Sequence, residues 1–277
     1  MKKISFVNPL VCLLVMIGLA ACSTDVQSPD APSEELSVQG SSGQFVASCD
    51  VTHRLNDDPI VFPGRPGAAH SHDFFGSDNA DAFSTTASLR EGTSSCPDRP
   101  GDTAAYWAPT LYSDGEPITP RRIRVYYRNG GKDPATIQPF PAGLKMIAGD
   151  HMASASNRQD TDISSWACTI RGDEREVQDV PRCSGSSLRL RIVFPDCWDG
   201  RRLDSSDHKS HMAYSARGAC PSGWVPVPEI TMGIRYWYKD GLSRDPAAVS
   251  LASGSPYTAH ADFFNSWDQR NLEGVLE

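Results

Sequence analysis

Long hydrophobic runs are scarce in this chain of 277 residues. The apolar run over residues 11–21 is too short to cross a bilayer as a helix, which needs about 20 apolar residues. Lys2 and Lys3 precede it, and a short positive start followed by such a run is typical of a secretory signal. We therefore predict that the chain is exported.

The signal ends in the letters LAAC, which resemble a bacterial lipobox. This ending predicts residues 1–21 as a lipoprotein signal peptide and Cys22 as the lipidated first residue, with ordinary cleavage near Ala21 as the alternative. The predicted location is the cell envelope, and the lipid is the only predicted membrane contact. In a cell with two membranes, Ser23 resembles the pattern of proteins sent to the outer one.

The sequence has one linker and no second one. Residues 22–43 are rich in Ser, Asp, Pro, Gly and Glu, with isolated hydrophobic residues. Such a segment buries too little apolar surface to repay its ordering entropy, so it is predicted to be a flexible tether. No later stretch is rich enough in Pro, Gly and Ser to separate two domains, which predicts a single domain over residues 44–277.

Basic stripes with interleaved aromatic residues are also missing. The formal net charge is −8, and removal of the two lysines of the signal takes it to −10. An acidic surface repels phosphate backbones, so nucleic acid is not expected as a partner. The oligomeric state is left open by the sequence.

The cysteines lack any C-x-x-C spacing, which disfavours a zinc ribbon or a thioredoxin-type site. Of the eight cysteines, Cys12 leaves with the signal and Cys22 would carry the lipid. The even number that remains indicates disulfides in an exported protein. Pairing of neighbours, one of several connectivities open to six cysteines, predicts the bonds Cys49–Cys96, Cys168–Cys183 and Cys197–Cys220.

Helical patterns are rare, and short helices are predicted only over residues 84–91 and 245–252. Three runs alternate with a period of two residues: RRIRVYYRNG, LRLRIVF and EITMGIRYWYKDG. These runs close on Asn-Gly, Pro-Asp or Asp-Gly, which are turn dipeptides. With 21 prolines and 22 glycines along the chain, the pattern predicts an all-β fold, mainly an antiparallel sandwich or jelly roll with long loops.

The stretch AAHSHDFFGS places His70 and His72 two residues apart. On a strand both imidazoles would project from the same face, and a sheet can present two nitrogen ligands to zinc in this way. The spacing alone is weak evidence, because hydrogen-bonded histidines in a loop produce it as well.

Two further segments hold histidines beside aspartates: FPDCWDGRRLDSSDHKSHMAY and YTAHADFFNSW. Imidazoles can bind a metal while carboxylates orient them, or His–Asp pairs can perform general acid–base catalysis. A polar network that braces long loops is the structural alternative. The candidate metal ligands are His70, His72 and His260. The candidate catalytic residues are Asp73, Asp199, Asp207, His208, His211 and Asp262.

Five stretches in order resemble DUF1996, a family of secreted proteins without an assigned function: DPIVFPGRPGAAHSHDFFG, YWAPTLYSDG, FPAGLKMIAGD, FPDCWDGRRLDSSDHKSHMAY and YTAHADFFNSWD. The resemblance runs from about residue 45 to residue 272. It implies a shared polar site, with matching residues at His70, His72, Asp199, Asp204, Asp207, His208, His211, His260 and Asp262. Some members carry a separate module similar to carbohydrate-binding modules, which implies a cell-wall glycan or exopolysaccharide as the partner.

Aromatic residues in or beside these stretches are candidates for stacking on the apolar faces of sugars. They are Tyr106, Trp107, Trp198 and Trp267. The alternative is that these rings belong to the core of the β domain. Trp198 is the best candidate for a groove, because it lies between Asp196 and Asp199 in a tight turn.

The first functional hypothesis is a hydrolase or lyase that acts on extracellular polysaccharide. In its metal-dependent version, the three candidate ligands hold one divalent ion, zinc by preference, and Asp207 and His208 transfer protons. In its metal-free version, two of the aspartates at positions 73, 199, 207 and 262 form the acid and the base.

The second hypothesis is a non-catalytic module that binds glycan or stabilises the envelope, with a structural His/Asp cluster. A metal-scavenging lipoprotein is a third reading. It is disfavoured because such proteins often carry His-rich tracts, and this sequence has none.

Overall fold

The computed structural model describes residues 44–169 and 175–276. Its strands in chain order are β1 (Phe45–Leu55), β2 (His72–Gly76), β3 (Ala105–Pro109), β4 (Leu111–Ser113), β5 (Glu116–Ile118), β6 (Arg122–Arg128), β7 (Lys145–Gly149), β8 (Ser164–Cys168), β9 (Ser187–Val193), β10 (Cys197–Trp198), β11 (Met212–Ala213), β12 (Val225–Pro226), β13 (Glu229–Trp237), β14 (Val249–Leu251) and β15 (His260–Phe264). Its helices are α1 (Thr86–Glu91) and α2 (Gln269–Leu276), with 3-10 turns at Pro134–Thr136, Tyr238–Asp240, Pro246–Ala248 and Pro256–Thr258.

Nine strands form one antiparallel sheet in the order β7-β15-β3-β2-β1-β6-β13-β9-β8. Every one of these strands contributes residues to the same hydrophobic core. Because all nine share one core, the sheet curls around it, and β7 at one end contacts β9 near the other. The predicted all-β, mainly antiparallel fold is confirmed.

The three alternating runs of the sequence form β6, β9 and β13, which are neighbours in this sheet. Their apolar positions face inward: Val125 of β6 pairs with Met232 of β13, which pairs with Ile192 of β9, and all three are fully buried. Burial of each such side chain stabilises the fold by about 2 kcal/mol. A slip of one residue would expose the whole apolar set, so this pattern fixes the register.

Helix α1 agrees with the helix predicted over residues 84–91. Thr85 caps its first turn by accepting the backbone N–H of Ser88. Helix α2 was not predicted from the sequence; it buries only Leu272 and contains Gly274, so its helical pattern is weak.

The helix predicted over residues 245–252 is wrong. Pro246 begins a single 3-10 turn, and the chain then extends as β14, which pairs with β4 in a three-stranded sheet β14-β4-β5. Val249 and Leu251 are both buried on this strand. Strand pairing and core burial at these two positions outweigh the weak helical preference of the segment. A second small sheet has the order β11-β10-β12.

Three disulfides join neighbouring cysteines, and they confirm the predicted pairing: Cys49–Cys96, Cys168–Cys183 and Cys197–Cys220. Their Cα atoms lie 4.0, 5.4 and 5.5 Å apart, respectively. Each bond closes a loop and so removes conformational entropy from the unfolded chain, an effect of about 3 kcal/mol for loops of this size.

The sheet is also covered on part of its outer face, over β2, β3 and β15. Phe74, Trp107 and Phe264 on this face form a second apolar cluster with Ile60 and Leu89, which come from the segment between β1 and the end of α1. Loops and α1 therefore shield this face from solvent. His72 on β2 and His260 on β15 lie on this shielded face, because they are an even number of positions from Phe74 and Phe264 along their strands.

Gly76 ends β2 in a conformation that suits glycine alone. Its φ is 83°, and a Cβ there would lie 2.0 Å from the carbonyl oxygen of Ala104. We expect Gly76→Ala to lower the free energy of unfolding by about 3 kcal/mol, through the left-handed backbone and the steric overlap.

Gly115 supplies the matched control for this prediction. Its φ is 84°, yet no atom lies within 4 Å of the site where a Cβ would stand. Gly115→Ala should therefore cost only the backbone term, about 1 kcal/mol. Urea unfolding measures both variants, and equal losses would contradict the packing argument at Gly76.

The predictions of a signal peptide over residues 1–21, of lipidation at Cys22 and of a tether over residues 22–43 fall outside the described residues. Within the described residues, neither helix has the length and apolar character needed to span a bilayer.

Candidate metal centre

Two strands place histidine and aspartate side chains on the shielded outer face. β2 and β15 flank β3, with His72 opposite Pro109 and Asp262 opposite Trp107. Side chains alternate along a strand, so His72, His260 and Asp262 all project from the face that carries the second apolar cluster. Side chains from two distant parts of the sequence thus meet above β3.

The two strand histidines are each held in one tautomer. Nδ1 of His72 lies 2.9 Å from the carbonyl oxygen of Asp57, and Nδ1 of His260 lies 2.9 Å from that of Thr258. A carbonyl oxygen can only accept, so Nδ1 carries the hydrogen in each ring and Nε2 keeps a lone pair. This is the form in which an imidazole binds a metal, with the other nitrogen fixed by an outer partner.

His70 converges on the same place from the loop before β2. One ligand atom from each of His70, His72 and His260 lies within 4.8 Å of the other two. The ring centroid of His70 is 4.3 Å from that of His72 and 5.1 Å from that of His260. The Nε2 atoms of His70 and His72 are buried without a hydrogen-bond partner among the described residues. Unpaired buried nitrogens are costly, and a bound cation would satisfy both at once.

Two buried carboxyl groups approach the same histidine. Ligand atoms of Asp58, His72 and Asp262 also lie within 4.8 Å of one another. Because His72 has only Nε2 free for a ligand bond, the two groups share that atom and overlap in one cluster. Three imidazoles alone are a donor set that zinc accepts, and added carboxylate oxygens also suit manganese or non-haem iron.

Burial sets the charge of this cluster. It lowers the pKa of His70, and together with the neighbouring imidazoles it lowers the pKa of His72 well below the usual value. Burial also lowers the pKa of His260 to about 3. Burial, with Asp58 nearby, raises the pKa of Asp262 well above its usual value. The nitrogens are therefore neutral and ready to donate at neutral pH, while Asp262 must lose a proton to join a cation.

Asp57 positions the centre without contributing a ligand to it. Its carboxylate accepts the backbone N–H groups of Gly67 and Ala82, at 2.8 and 3.1 Å, while its carbonyl holds His72. The buried Asp58 follows directly. Both acids were missed as site residues in the sequence, where their only signal is their place at the start of DDPIVFPGRPG, just before the H-x-H pair.

The rim of the centre adds a histidine and a lysine that sequence patterns did not single out. The exposed His151 has its ring centroid 6.2 Å from that of His260. Lys209 donates from Nζ to the carbonyl oxygen of Gly149, at 2.6 Å. Gly149 pairs with His260 across β7 and β15, so only the strand order brings these residues to the site.

His211 and Asp207 brace a loop and do not line the centre. His211 donates from Nε2 to the carbonyl oxygen of Lys145, at 2.6 Å, and its Nδ1 lies 2.8 Å from the hydroxyl of Ser205. Hydrogen bonds from the Ser210 N–H and the Ser205 hydroxyl hold the pKa of Asp207 well below its usual value. Both side chains are hydrogen-bonded within this loop and neither belongs to a ligand group of the centre, so their catalytic roles stay predictions.

His208 and Asp199, which lie in the same sequence segment, have different surroundings. His208 hydrogen-bonds through Nδ1 to Asp204, at 2.9 Å, and it lies near enough to lower the pKa of Asp58 against the larger, opposing effect of burial. Asp199 pairs with Arg202, at 2.7 Å, and lines a separate shallow cavity with Trp224. His208 therefore stands at the rim, whereas the predicted catalytic role of Asp199 in this centre is corrected.

Asp73 follows His72 on β2 and therefore points to the opposite face of the sheet. Its Oδ1 accepts a hydrogen bond from Nε of Arg54, at 2.7 Å. Burial raises the pKa of Asp73 to about 6 in spite of this ion pair. Asp73 and Asp262 therefore face opposite sides of the sheet and cannot act on one substrate as an acid–base pair, and a catalytic role of Asp73 elsewhere stays a prediction.

Three of the four predicted sugar-stacking rings are core residues. Tyr106, Trp107 and Trp267 are at most 1% exposed, so none presents a face to a ligand, and their predicted role is corrected. Large rings bury the most apolar surface of any side chain, which favours the core. Trp198 is half-buried and donates from Nε1 to the carbonyl oxygen of Arg202, at 2.7 Å, so it alone keeps a partly open face.

Tyr106 and Trp267 belong to a buried hydrogen-bond chain. Nε1 of Trp267 donates to the hydroxyl of Tyr127, at 3.0 Å, and the two tyrosine hydroxyls lie 2.6 Å apart. Tyr106 then donates to the carboxyl of Asp102, at 2.8 Å. Burial raises the pKa of Asp102 to about 8, although its hydrogen bonds oppose the shift.

The protonated Asp102 at the end of this hydrogen-bond chain predicts that stability depends on pH. Asp102 stays protonated in the folded state up to about pH 8, whereas the unfolded chain ionises it near pH 4. The unfolded state thus binds fewer protons between these values. The stability that the protonated Asp102 contributes is therefore lost as the pH rises from about 4 to about 8. In urea unfolding at pH 4, 6 and 8, we expect wild type to lose stability relative to Asp102→Asn. A constant difference between the two proteins would contradict the protonated carboxyl.

The fold and this centre define the protein as a disulfide-bonded all-β domain with a buried histidine–aspartate cluster. Residues 58–267 match the family model described as Domain of unknown function (DUF1996). The match covers most of the chain, so the chain belongs to the DUF1996 family. No curated protein and no solved structure matches it.

Proposed function

We propose that the protein binds one divalent transition-metal ion through His70, His72 and His260, with zinc as the preferred ion. The observation that carries this proposal is the pair of fixed tautomers, in which His72 and His260 donate Nδ1–H to carbonyls and leave Nε2 free. Three imidazoles with ligand atoms within 4.8 Å of one another fit one ion after small ring rotations.

The metal would support hydrolysis or elimination on an extracellular polysaccharide. A zinc ion supplies a bound water of lowered pKa and polarises an oxygen of the substrate. His70 is only half-buried, so the cluster opens to solvent on its side, next to the exposed His151. His208 and Lys209 at the rim are placed to exchange protons with a bound substrate. Export and the lipid anchor at Cys22 belong to the same proposal and would bring the centre to envelope glycans.

The metal-free version of the enzyme has less support. Its acid and base were to come from Asp73, Asp199, Asp207 and Asp262. Asp73 lies on the other face of the sheet, and Asp199 pairs with Arg202. Asp207 is held in a turn, and only Asp262 lies in the histidine cluster. No two of them form a pair on one open surface of the described residues.

A structural ion in a non-catalytic glycan-binding or envelope module is the second candidate function. The observation that favours it is burial, since His72 and His260 are 0% and 6% exposed. Three predicted sugar-stacking rings are buried in the core, which leaves less surface for a long glycan and favours the envelope-stabilising form of this module over glycan binding. In this version the metal stabilises the covered face and takes no part in turnover.

Metal analysis tests the proposal and separates its two versions. The protein, purified without a histidine tag, should contain about one zinc or other transition-metal ion per chain. The double variant His70→Ala/His72→Ala should remain folded by circular dichroism and lack the ion. Envelope polysaccharides are then incubated with loaded and metal-stripped protein, and new reducing ends or unsaturated sugars are measured. Cleavage by the loaded form alone supports the enzyme, and loading without cleavage supports the structural ion. A folded wild type that takes up no divalent ion would overturn the proposal.

A further inference from the structure

A buried lysine and a buried aspartate, neither of them in a ligand group of the metal centre, face each other. Lys132 lies in the loop after β6, and Asp196 lies in the loop before β10, 64 residues further along the chain. Their side chains are 2% and 3% exposed, and Nζ of Lys132 contacts Oδ2 of Asp196. Few lysines in folded proteins are buried to this extent.

A third ionisable group completes this cluster. Gly130 has a φ of 57°, and the point where its Cβ would stand lies 2.7 Å from Oδ2 of Asp196, 2.8 Å from Nζ of Lys132 and 3.2 Å from Oε2 of Glu229. Any two of these three atoms are therefore at most about 6 Å apart. The glycine leaves open the space into which the amine, the carboxyl and the second carboxyl all point.

The surroundings hold the aspartate in a fixed position. Oδ1 of Asp196 accepts the backbone N–H of Ser215, at 2.7 Å, and Oδ2 accepts the Ser215 hydroxyl, at 2.8 Å. The carboxyl carbon is thus oriented with the amine beside it. Groups held in contact react with effective molarities far above those of free groups, because little entropy is left to lose.

Burial favours the condensation. An ammonium and a carboxylate are costly in a low-dielectric interior, and an amide bond in their place carries no charge. The attack itself needs a neutral amine as the nucleophile and an uncharged carboxyl group as the acceptor. Burial, with Asp196 nearby, raises the pKa of Glu229. Glu229 can therefore hold and release a proton beside the pair.

We propose that Lys132 and Asp196 condense to an intramolecular isopeptide bond, with Glu229 as the proton carrier. Nζ of Lys132 attacks Cγ of Asp196 and forms the C–N bond. Glu229 takes a proton from the nitrogen and gives one to the departing hydroxyl, so one water leaves and Glu229 is restored. No oxidant, reductant or metal enters the balance, so the bond forms independently of the metal centre.

The bond would tie the loop after β6 to the loop before β10. It lies one residue from the disulfide Cys197–Cys220, so two covalent links of different chemistry would hold the same region. An amide persists under reducing conditions in which the disulfide opens. A protein exposed outside the cell gains resistance to unfolding from such a link, since the closed loop constrains the unfolded chain.

Peptide mapping of the full chain tests the proposal. The protein is denatured, reduced, alkylated and digested with trypsin. An isopeptide bond blocks cleavage after Lys132, so residues 129–145 should appear joined to residues 192–201, lighter by one water than the sum of the two linear peptides. We expect the joined species to exceed the linear ones at least tenfold in wild type. It should be absent from Lys132→Arg, which keeps the charge and cannot form the bond.

Two further variants test how the bond forms. Glu229→Gln removes the proton carrier and should slow the appearance of the joined peptide in freshly folded protein by about 100-fold or more. Asp196→Asn should still join, with loss of one ammonia instead of one water. Wild-type protein that yields only linear peptides 129–132 and 192–201, after days in the folded state at neutral pH, would overturn the proposal and leave a buried ion pair. Loss of water within peptide 192–201 without joining would overturn it as well.

Discussion

Replacing His72 by alanine is expected to abolish metal binding, with a loss of affinity of more than about 100-fold. His72 belongs to both ligand groups of the centre, and its Nε2 is the only nitrogen that it can offer, because Nδ1 is bonded to the carbonyl of Asp57. Removal of an outer partner of a ligand already costs about 10- to 100-fold in affinity, so removal of the shared ligand should cost more. Competition with a zinc-binding dye at pH 7 measures the change.

His208→Ala is the matched control for this experiment. His208 also lies beside an aspartate, and it is half-buried at the rim, yet it is in neither ligand group. Its removal should change the affinity less than about tenfold, because it acts on the centre only through its effect on Asp58. A His72→Ala protein that binds zinc as tightly as His208→Ala would exclude the proposed donor set.

Replacing Trp267 by alanine is expected to lower the free energy of unfolding by about 4 kcal/mol. The ring is 1% exposed and packs edge-on against Phe45 and Tyr127, with centroids 5.8 and 6.0 Å away. The substitution would leave a large cavity and remove the hydrogen bond to the Tyr127 hydroxyl. Urea unfolding with circular dichroism measures this loss.

Trp198→Ala provides the comparison for the sugar-stacking role that the sequence suggested. Trp198 is half-buried and makes one hydrogen bond, to the carbonyl oxygen of Arg202. Its removal should cost only about 1–2 kcal/mol. If Trp267 were a sugar platform instead, Trp267→Ala would keep the stability of wild type and lose only binding, which is the opposite of the expected result.

The alternation of apolar residues carried most of the information about the fold. In β6, β9 and β13 the pattern of every second residue identified the strands and the face that each one buries, because the core selects apolar side chains at those positions. The segment after Asp245 shows the limit of this reasoning. Its short run has no clear period, and its pairing with β4, more than 130 residues earlier, decided its conformation.

The candidate centre was only partly visible in the sequence. His70, His72 and His260 stood out because pairs of polar residues two apart on a strand share a face. Asp58 and His151 did not, because they reach the cluster through the order β7-β15-β3-β2, which no local pattern encodes. The prediction of sugar-stacking rings failed for a different reason. The sequence does not distinguish a tryptophan that packs in the core from one that binds a sugar, and only the burial of the side chain in the fold separates the two.

Through Asp57, folding of the covering loop also orients a ligand of this centre. One residue ties the covering loop at Gly67 and Ala82 and, through its carbonyl, also fixes the ring of His72. The conformational entropy of ordering that ligand is therefore lost when the loop folds, before any ion arrives. A chelator should empty such a centre and leave the sheet intact, in contrast to a zinc finger, whose fold disappears with its metal.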